Sequence, residues 1–132
     1  MNIPDRKSEK NRFSLIARLR STNHAWRGLG LVFKTTHNMW VQLFFAFVVV
    51  YLGFTLHIST TEWLFVVFAI GFVLVTESLN TAFEIDIDLT SPEYHPYARD
   101  TKDIAAGAVL LSVIFACIVG LIIFLPKILA LI

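Results

Sequence analysis

Three long apolar runs decide what this chain can fold into. The first covers about residues 39–56 and is rich in Phe and Val. The second starts near Trp63, stays apolar to Val75 and continues to about residue 85 with polar residues at spaced positions. The third, Ile104 to Leu125, carries no charge, and Pro126 is expected to end it. A helix of about 20 residues crosses a bilayer, so each run suits one crossing. The chain has 132 residues, 56% of them hydrophobic and 16% charged. Soluble domains average about 45–50% apolar and about 25% charged residues. A soluble fold this small could not hide so much apolar surface, and the same composition excludes a disordered chain. The expectation is an all-α membrane protein, one membrane domain over residues 1–132 with three transmembrane helices. The single cysteine, Cys117, rules out an intramolecular disulfide framework and a cysteine-cluster metal site. The N-terminus is not expected to be a signal peptide, because the first apolar run begins too late and no cleavage-like site follows it. Cys117, Gly71 and Gly120 fall within spans and are expected to serve packing.

The charges predict an orientation. Eight of the eleven Lys and Arg residues precede the first span, and the 86–103 connection carries Arg99 and Lys102. The His57–Glu62 connection carries none and suits a tight helical hairpin. Positive-inside bias therefore puts the N-terminus and the 86–103 loop in the cytoplasm and the C-terminus outside. Residues 1–36 read as a cytoplasmic tail with an amphipathic surface helix, since Phe13, Leu15, Ile16, Leu19 and Trp26 alternate with Arg12, Arg18, Arg20 and Arg27. This segment is read as one helix or a helix pair, with Asn23 and Gly28 to Gly30 as candidate interruptions. Trp40 and Trp63 stand at opposite ends of the first hairpin, where interfacial aromatic anchors belong.

The acids have their own pattern. Seven of the ten Asp and Glu residues lie between positions 77 and 103, so the net charge of +1 is a cancellation between a basic segment and an acidic one. Glu77, Asn80, Glu84 and Asp88 are spaced by three, four and four residues, which places them on one stripe of a helix. At 1.5 Å per residue the stripe is roughly 16 Å long. Glu77 follows the apolar Trp63–Val75 run and so is expected to lie below the headgroups, where an acidic residue is costly and rarely accidental. A deep carboxylate suits proton abstraction from an alcohol, and one nearer the water suits Mg²⁺, which completes its shell with phosphate oxygens and water. After a turn-rich stretch from Ser91 to Pro96, Lys102 is placed to neutralise phosphate, and Asp103 is expected to cap the third span. An acid–base–metal site at a membrane surface points to phosphoryl transfer onto a lipid alcohol. A proton- or cation-coupled transporter would also use intramembrane carboxylates.

These residues resemble the bacterial integral-membrane diacylglycerol kinase family, which includes the undecaprenol kinases. The run from Glu77 to Asp88 is similar to its E-x-x-N-[TS]-A-x-E-x-x-x-D signature, and Lys102-Asp103-Ile-Ala-Ala106-Gly-Ala-Val109 follows at the family's spacing. Trp26-Arg27-Gly28-Leu29 and Phe33-Lys34-Thr35 resemble the N-terminal pattern. The chain holds no G-x-x-x-x-G-K-[ST] element, in keeping with a kinase that has no P-loop.

The resemblance implies a homotrimer with active sites between subunits, in the bacterial cytoplasmic (inner) membrane. It implies transfer of the γ-phosphate of Mg-ATP to a primary hydroxyl of diacylglycerol or undecaprenol, and no nucleic-acid partner. By position, Glu77 matches the catalytic base and Asn80 a residue that orients the site. Glu84 matches a metal-binding glutamate, and Glu93, Tyr94, His95, Lys102 and Asp103 match nucleotide-contacting positions. Trp26, Asn38 and Glu77 are the expected contacts to the lipid. In one place the pattern departs: the family's second metal-binding glutamate is replaced by Thr36 in Lys34-Thr35-Thr36-His37-Asn38. A hydroxyl is a weaker Mg²⁺ ligand than a carboxylate. The alternative expectation is therefore a catalytically impaired relative of the same fold.

Overall fold

A computed structural model describes residues 15–132. It holds four helices in chain order: α1 (Leu15–Thr35), α2 (His37–Thr55), α3 (Thr60–Thr90) and α4 (Pro96–Leu129). Helices α2, α3 and α4 are each long and apolar enough to cross a membrane. The chain divides into two compact units, one ending at Leu31 and the other running from Val32 to Ile132. Phe13 and Arg12 of the expected amphipathic segment lie outside the described residues.

Within the first unit, α1 continues unbroken through Asn23, Gly28 and Gly30. A single glycine in a helix costs only about 1 kcal/mol, and the flanking Leu, Arg and Trp residues sustain the turn. Helix α1 thus forms as one piece, and its large apolar side chains Leu15, Ile16, Leu19 and Trp26 are exposed.

The second unit is organised around α3. Leu56, His57 and Ile58 reverse the chain after α2, with His57 in the left-handed region at φ 49°. The Ile58 amide closes the turn on the Gly53 carbonyl at 3.1 Å. Ser59 then caps α3: its hydroxyl accepts from the Glu62 amide, and Glu62 Oε2 accepts from the Ser59 amide at 2.7 Å. This reciprocal arrangement satisfies two amides that no helical carbonyl can reach. Ile58, Val66, Ile123 and Phe124 form the buried core at this end, with Leu52, Trp63 and Val119 packed around it. Lys127 reaches Glu62 at 3.2 Å and ties the end of α4 to the start of α3.

Gly53 is the glycine this packing needs. A Cβ there would lie 2.7 Å from the outer edge of the Trp63 ring. Gly71 and Gly120, expected to pack, have nothing within 4 Å of the place a Cβ would occupy. Trp63 is half-buried against Gly53 and Phe54, whereas Trp40 is exposed and its ring N–H donates to the Phe33 carbonyl at 3.0 Å.

Two expected boundaries shift. Irregular chain between α3 and α4 is confined to Ser91–His95, not the whole of 86–103. Each of these end residues precedes a proline, Pro92 or Pro96, and the pre-proline position disfavours the helical region. Pro96 then starts α4 at its first turn, where no amide bond is lost. Apolarity marks only the part of a helix that needs lipid, so the polar extensions of α3 and α4 were invisible to it. At 1.5 Å per residue, α4 is roughly 51 Å long, well beyond a hydrocarbon layer of about 30 Å.

At the other end, α4 does not stop at Pro126. It runs to Leu129, with the Ala130 amide bonded to the Pro126 carbonyl at 3.1 Å. Proline removes one amide but keeps its own carbonyl, and membrane helices tolerate that loss.

Candidate active site

The polar stripe on α3 is real in three dimensions and graded in depth. Glu77, Asn80 and Thr81 are buried, Glu84 is half-buried and Asp88 is exposed. Glu77 is only 1% exposed. Because α3 stays helical from Thr60 to Thr90, residues three and four apart stack along its axis. Depth therefore changes steadily from one polar group to the next.

Each member has a defined partner, and several keep an unused atom. Gln42 of α2 donates from Nε2 to Glu77 Oε2 at 2.7 Å. Asn80 donates from Nδ2 to Glu84 Oε1 at 2.9 Å. Gln42 Oε1, Glu77 Oε1 and Asn80 Oδ1 are buried with no hydrogen-bond partner. All three are acceptors. An unsatisfied buried acceptor costs about 1–3 kcal/mol, so three together set this stretch of the helix pair apart from the hairpin end.

Thr36 lies between α1 and α2 in an extended conformation, and its hydroxyl lies 2.8 Å from that of Thr81. The Thr81 hydroxyl also donates to the Glu77 carbonyl at 3.0 Å. A hydroxyl has one proton, so with that bond made Thr36 is the donor and Thr81 the acceptor. The Thr36 side chain is consequently held on α3, and it makes no cap to α2.

Toward the exposed end, a cavity of about 310 Å³ lies where α3 gives way to α4. Asp88, Glu93, Tyr94, His95, Lys102 and Asp103 all line it. Lys102 donates to Asp88 across the α3–α4 connection. The expected cap at Asp103 is not made: α4 begins seven residues earlier, and Asp103 instead lies 3.6 Å from Arg99, one turn back on the exposed face. Asn38 is exposed at the start of α2, and Trp26 is exposed within the N-terminal unit.

Gln42 is the residue that sequence reading passed over. It is the one amide or charged side chain between Asn38 and the end of α2 at Thr55, and an isolated polar residue inside an apolar span is itself a functional signal. The Thr36–Thr81 bond had no such signal, since it joins residues 45 positions apart. Deeper in the unit, the Thr76 and Ser112 hydroxyls lie 2.8 Å apart; one donates to the other, and the accepting hydroxyl donates in turn to a carbonyl of its own helix. That pair joins α3 to α4 with both hydroxyl protons used.

Comparisons with known proteins place the chain in a family. Residues 23–124 match the family described as prokaryotic diacylglycerol kinase. The chain is 39% identical to the undecaprenol kinase of Bacillus subtilis (strain 168), over 96% of this chain and 99% of that protein. It is 38% identical to a diacylglycerol kinase of Synechocystis, over 84% of this chain and 64% of that protein. Similarity to the diacylglycerol kinase of Escherichia coli (strain K12) is lower, 23% over 76% of this chain. With a matched segment that takes in the whole Glu77–Asp88 stripe and the Lys102 cavity, the chain belongs to the prokaryotic diacylglycerol kinase family.

Proposed function

We propose that this protein is a lipid kinase that moves the γ-phosphate of ATP to the primary hydroxyl of diacylglycerol or undecaprenol. The observation that carries this reading is Glu77: a carboxylate 1% exposed, with Oε2 held by Gln42 and Oε1 buried without a donor. A lipid hydroxyl is a donor of the right kind, and it arrives from the bilayer at the depth Glu77 occupies. Glu77 Oε1 takes the hydroxyl proton as the alcohol oxygen forms its bond to the γ-phosphorus. The bond between that phosphorus and the β–γ bridging oxygen breaks, and its electron pair leaves with ADP. Such positioned proton transfer is worth about 10²–10⁴ in rate.

Asn80 holds Glu84 through Oε1, and Glu84 Oε2 carries no hydrogen bond among the described residues. That oxygen suits Mg²⁺, which needs one or two carboxylates and takes its other ligands from phosphate and water. Mg²⁺ there would offset the charge of the phosphate oxygens. Lys102, on the wall of the 310 Å³ cavity, would exchange Asp88 for phosphate. Tyr94 and His95 line the same cavity and suit the nucleotide's flat base. We place the protein as a homotrimer in the bacterial inner membrane with its N-terminus cytoplasmic; the basic residues ahead of α2 support that orientation.

One observation favours a second reading, an impaired kinase. The Thr36 hydroxyl lies 2.8 Å from that of Thr81, so the position where the resemblance implies a second metal-binding glutamate offers a neutral hydroxyl and no charge. The test is purified protein in mixed micelles with γ-labelled ATP and Mg²⁺, offered diacylglycerol and undecaprenol in parallel. Label in either lipid supports the kinase. No label in either, from protein with full helical content, overturns it.

A further inference from the structure

We propose that Gln42 is a positioning residue for Glu77, fixing which carboxylate oxygen meets the lipid hydroxyl. The proposal rests on the reading of Glu77 as the base. Its own evidence is separate. A glutamate side chain has three torsions, and the last is soft, so a carboxylate held by nothing presents either oxygen in many directions. Here the contact from Gln42 Nε2 to Glu77 Oε2 is 2.7 Å, the short length of a charge-assisted bond. No other side chain donates to Glu77 among the described residues, and the bond comes from a different helix, so α2 sets the carboxylate plane on α3. With Oε2 held, the atom left without a partner is Oε1, the one that must take the proton.

The choice of residue also fits. Gln42 sits where α2 faces α3, on the wall of an apolar cavity of about 210 Å³ that Ala46, Val49, Val73 and Leu74 also line. An aliphatic side chain would pack there with no unsatisfied atom of its own. The amide instead leaves its own Oε1 buried and unpartnered, a cost that packing does not explain. Its Nε2–H is what the position gains. A carboxylate at this place would set two acceptors against each other, and asparagine is one methylene short of Glu77.

Two variants and one spectrum test this in the full-length protein in micelles. Gln42→Met keeps the length and apolar volume but removes the donor, and Gln42→Glu keeps the shape but replaces the donor with an acceptor. Misplacement of a reacting group by about 1 Å costs about 10²-fold in rate. Both variants are therefore expected to lower kcat by about tenfold to a hundredfold, with KM for ATP and for lipid within twofold of the parent. A kcat of Gln42→Met within threefold of an active parent overturns the proposal and leaves the kinase reading intact. An inactive parent overturns the kinase reading first, and the role of Gln42 falls with it. Should Gln42→Met fail to fold, the side-chain amide signal of Gln42 in ¹⁵N–¹H spectra decides. Replacing Glu77 by Gln must move that signal in protein that is not turning over. An unmoved signal shows that the two side chains do not meet, and the proposal is lost.

Discussion

At the hairpin end of the α2–α4 unit, Glu62 bonds to both Ser59 and Lys127, and Gly53 lets Trp63 close over the turn. Near the other end, Gln42, Glu77 and Asn80 each keep a buried oxygen with no donor. Both regions join α2 to α3 and both contain carboxylates, yet they treat polar groups in opposite ways. The hairpin end satisfies its groups and lays a core of Ile58, Val66, Ile123 and Phe124 against them. The Glu77 end tolerates buried acceptors that cost stability, in keeping with the proposed role of Glu77. Between them, the Thr76–Ser112 pair marks the change: polar, deep and closed.

The comparison breaks most severely if Glu77 proves structural. Glu77→Gln is expected to lower lipid phosphorylation by about 10²–10⁴-fold while thermal stability and ATP binding stay near the parent, read by a micelle kinase assay beside a melting curve. Loss of fold would move Glu77 to the other class. Next comes Thr36→Glu, which adds a carboxylate where the hydroxyl now serves Thr81. It is expected to lower the Mg²⁺ concentration for half-maximal turnover by about tenfold, since ligand charge sets affinity in such sites. An unchanged Mg²⁺ requirement would show that Glu84 is a sufficient ligand and would retire the impaired reading.

At the hairpin end the expected effects fall on stability alone. Gly53→Val drives a side chain into the Trp63 ring and should cost about 1–3 kcal/mol, measured by chemical denaturation in micelles. Activity per folded molecule should be unchanged. Ser59→Ala removes the cap and should cost about 1 kcal/mol. A fall in kcat from either change, with Mg²⁺ and ATP saturating, would show that the two ends are coupled and would blur the contrast drawn above.

Much of the fold was legible because the bilayer allows few solutions. Apolar runs placed α2 to within two residues of its observed start and found the cores of α3 and α4. They missed the polar ends of α3 and α4, where pre-proline backbone, not hydropathy, sets the limit. They also overrated Pro126, since a proline in a late turn costs one amide bond and not the helix. The stripe from Glu77 to Asp88 was legible for a similar reason, because helical spacing alone puts those residues on one face.

What the sequence determined by itself is therefore one-dimensional: three crossings, the depth order of Glu77, Asn80, Glu84 and Asp88, and a family signature written on a single helix. The tertiary structure decided which atoms of that stripe are used and which are free. Gln42 reaches Glu77 across 35 positions, Thr36 reaches Thr81 across 45, and Lys102 reaches Asp88 across 14. Helical periodicity relates residues within one element and says nothing of how a neighbouring helix is rotated against it. That rotation comes from side-chain packing, as at Gly53 and Trp63, and it leaves Oε1 of Glu77 as the open atom.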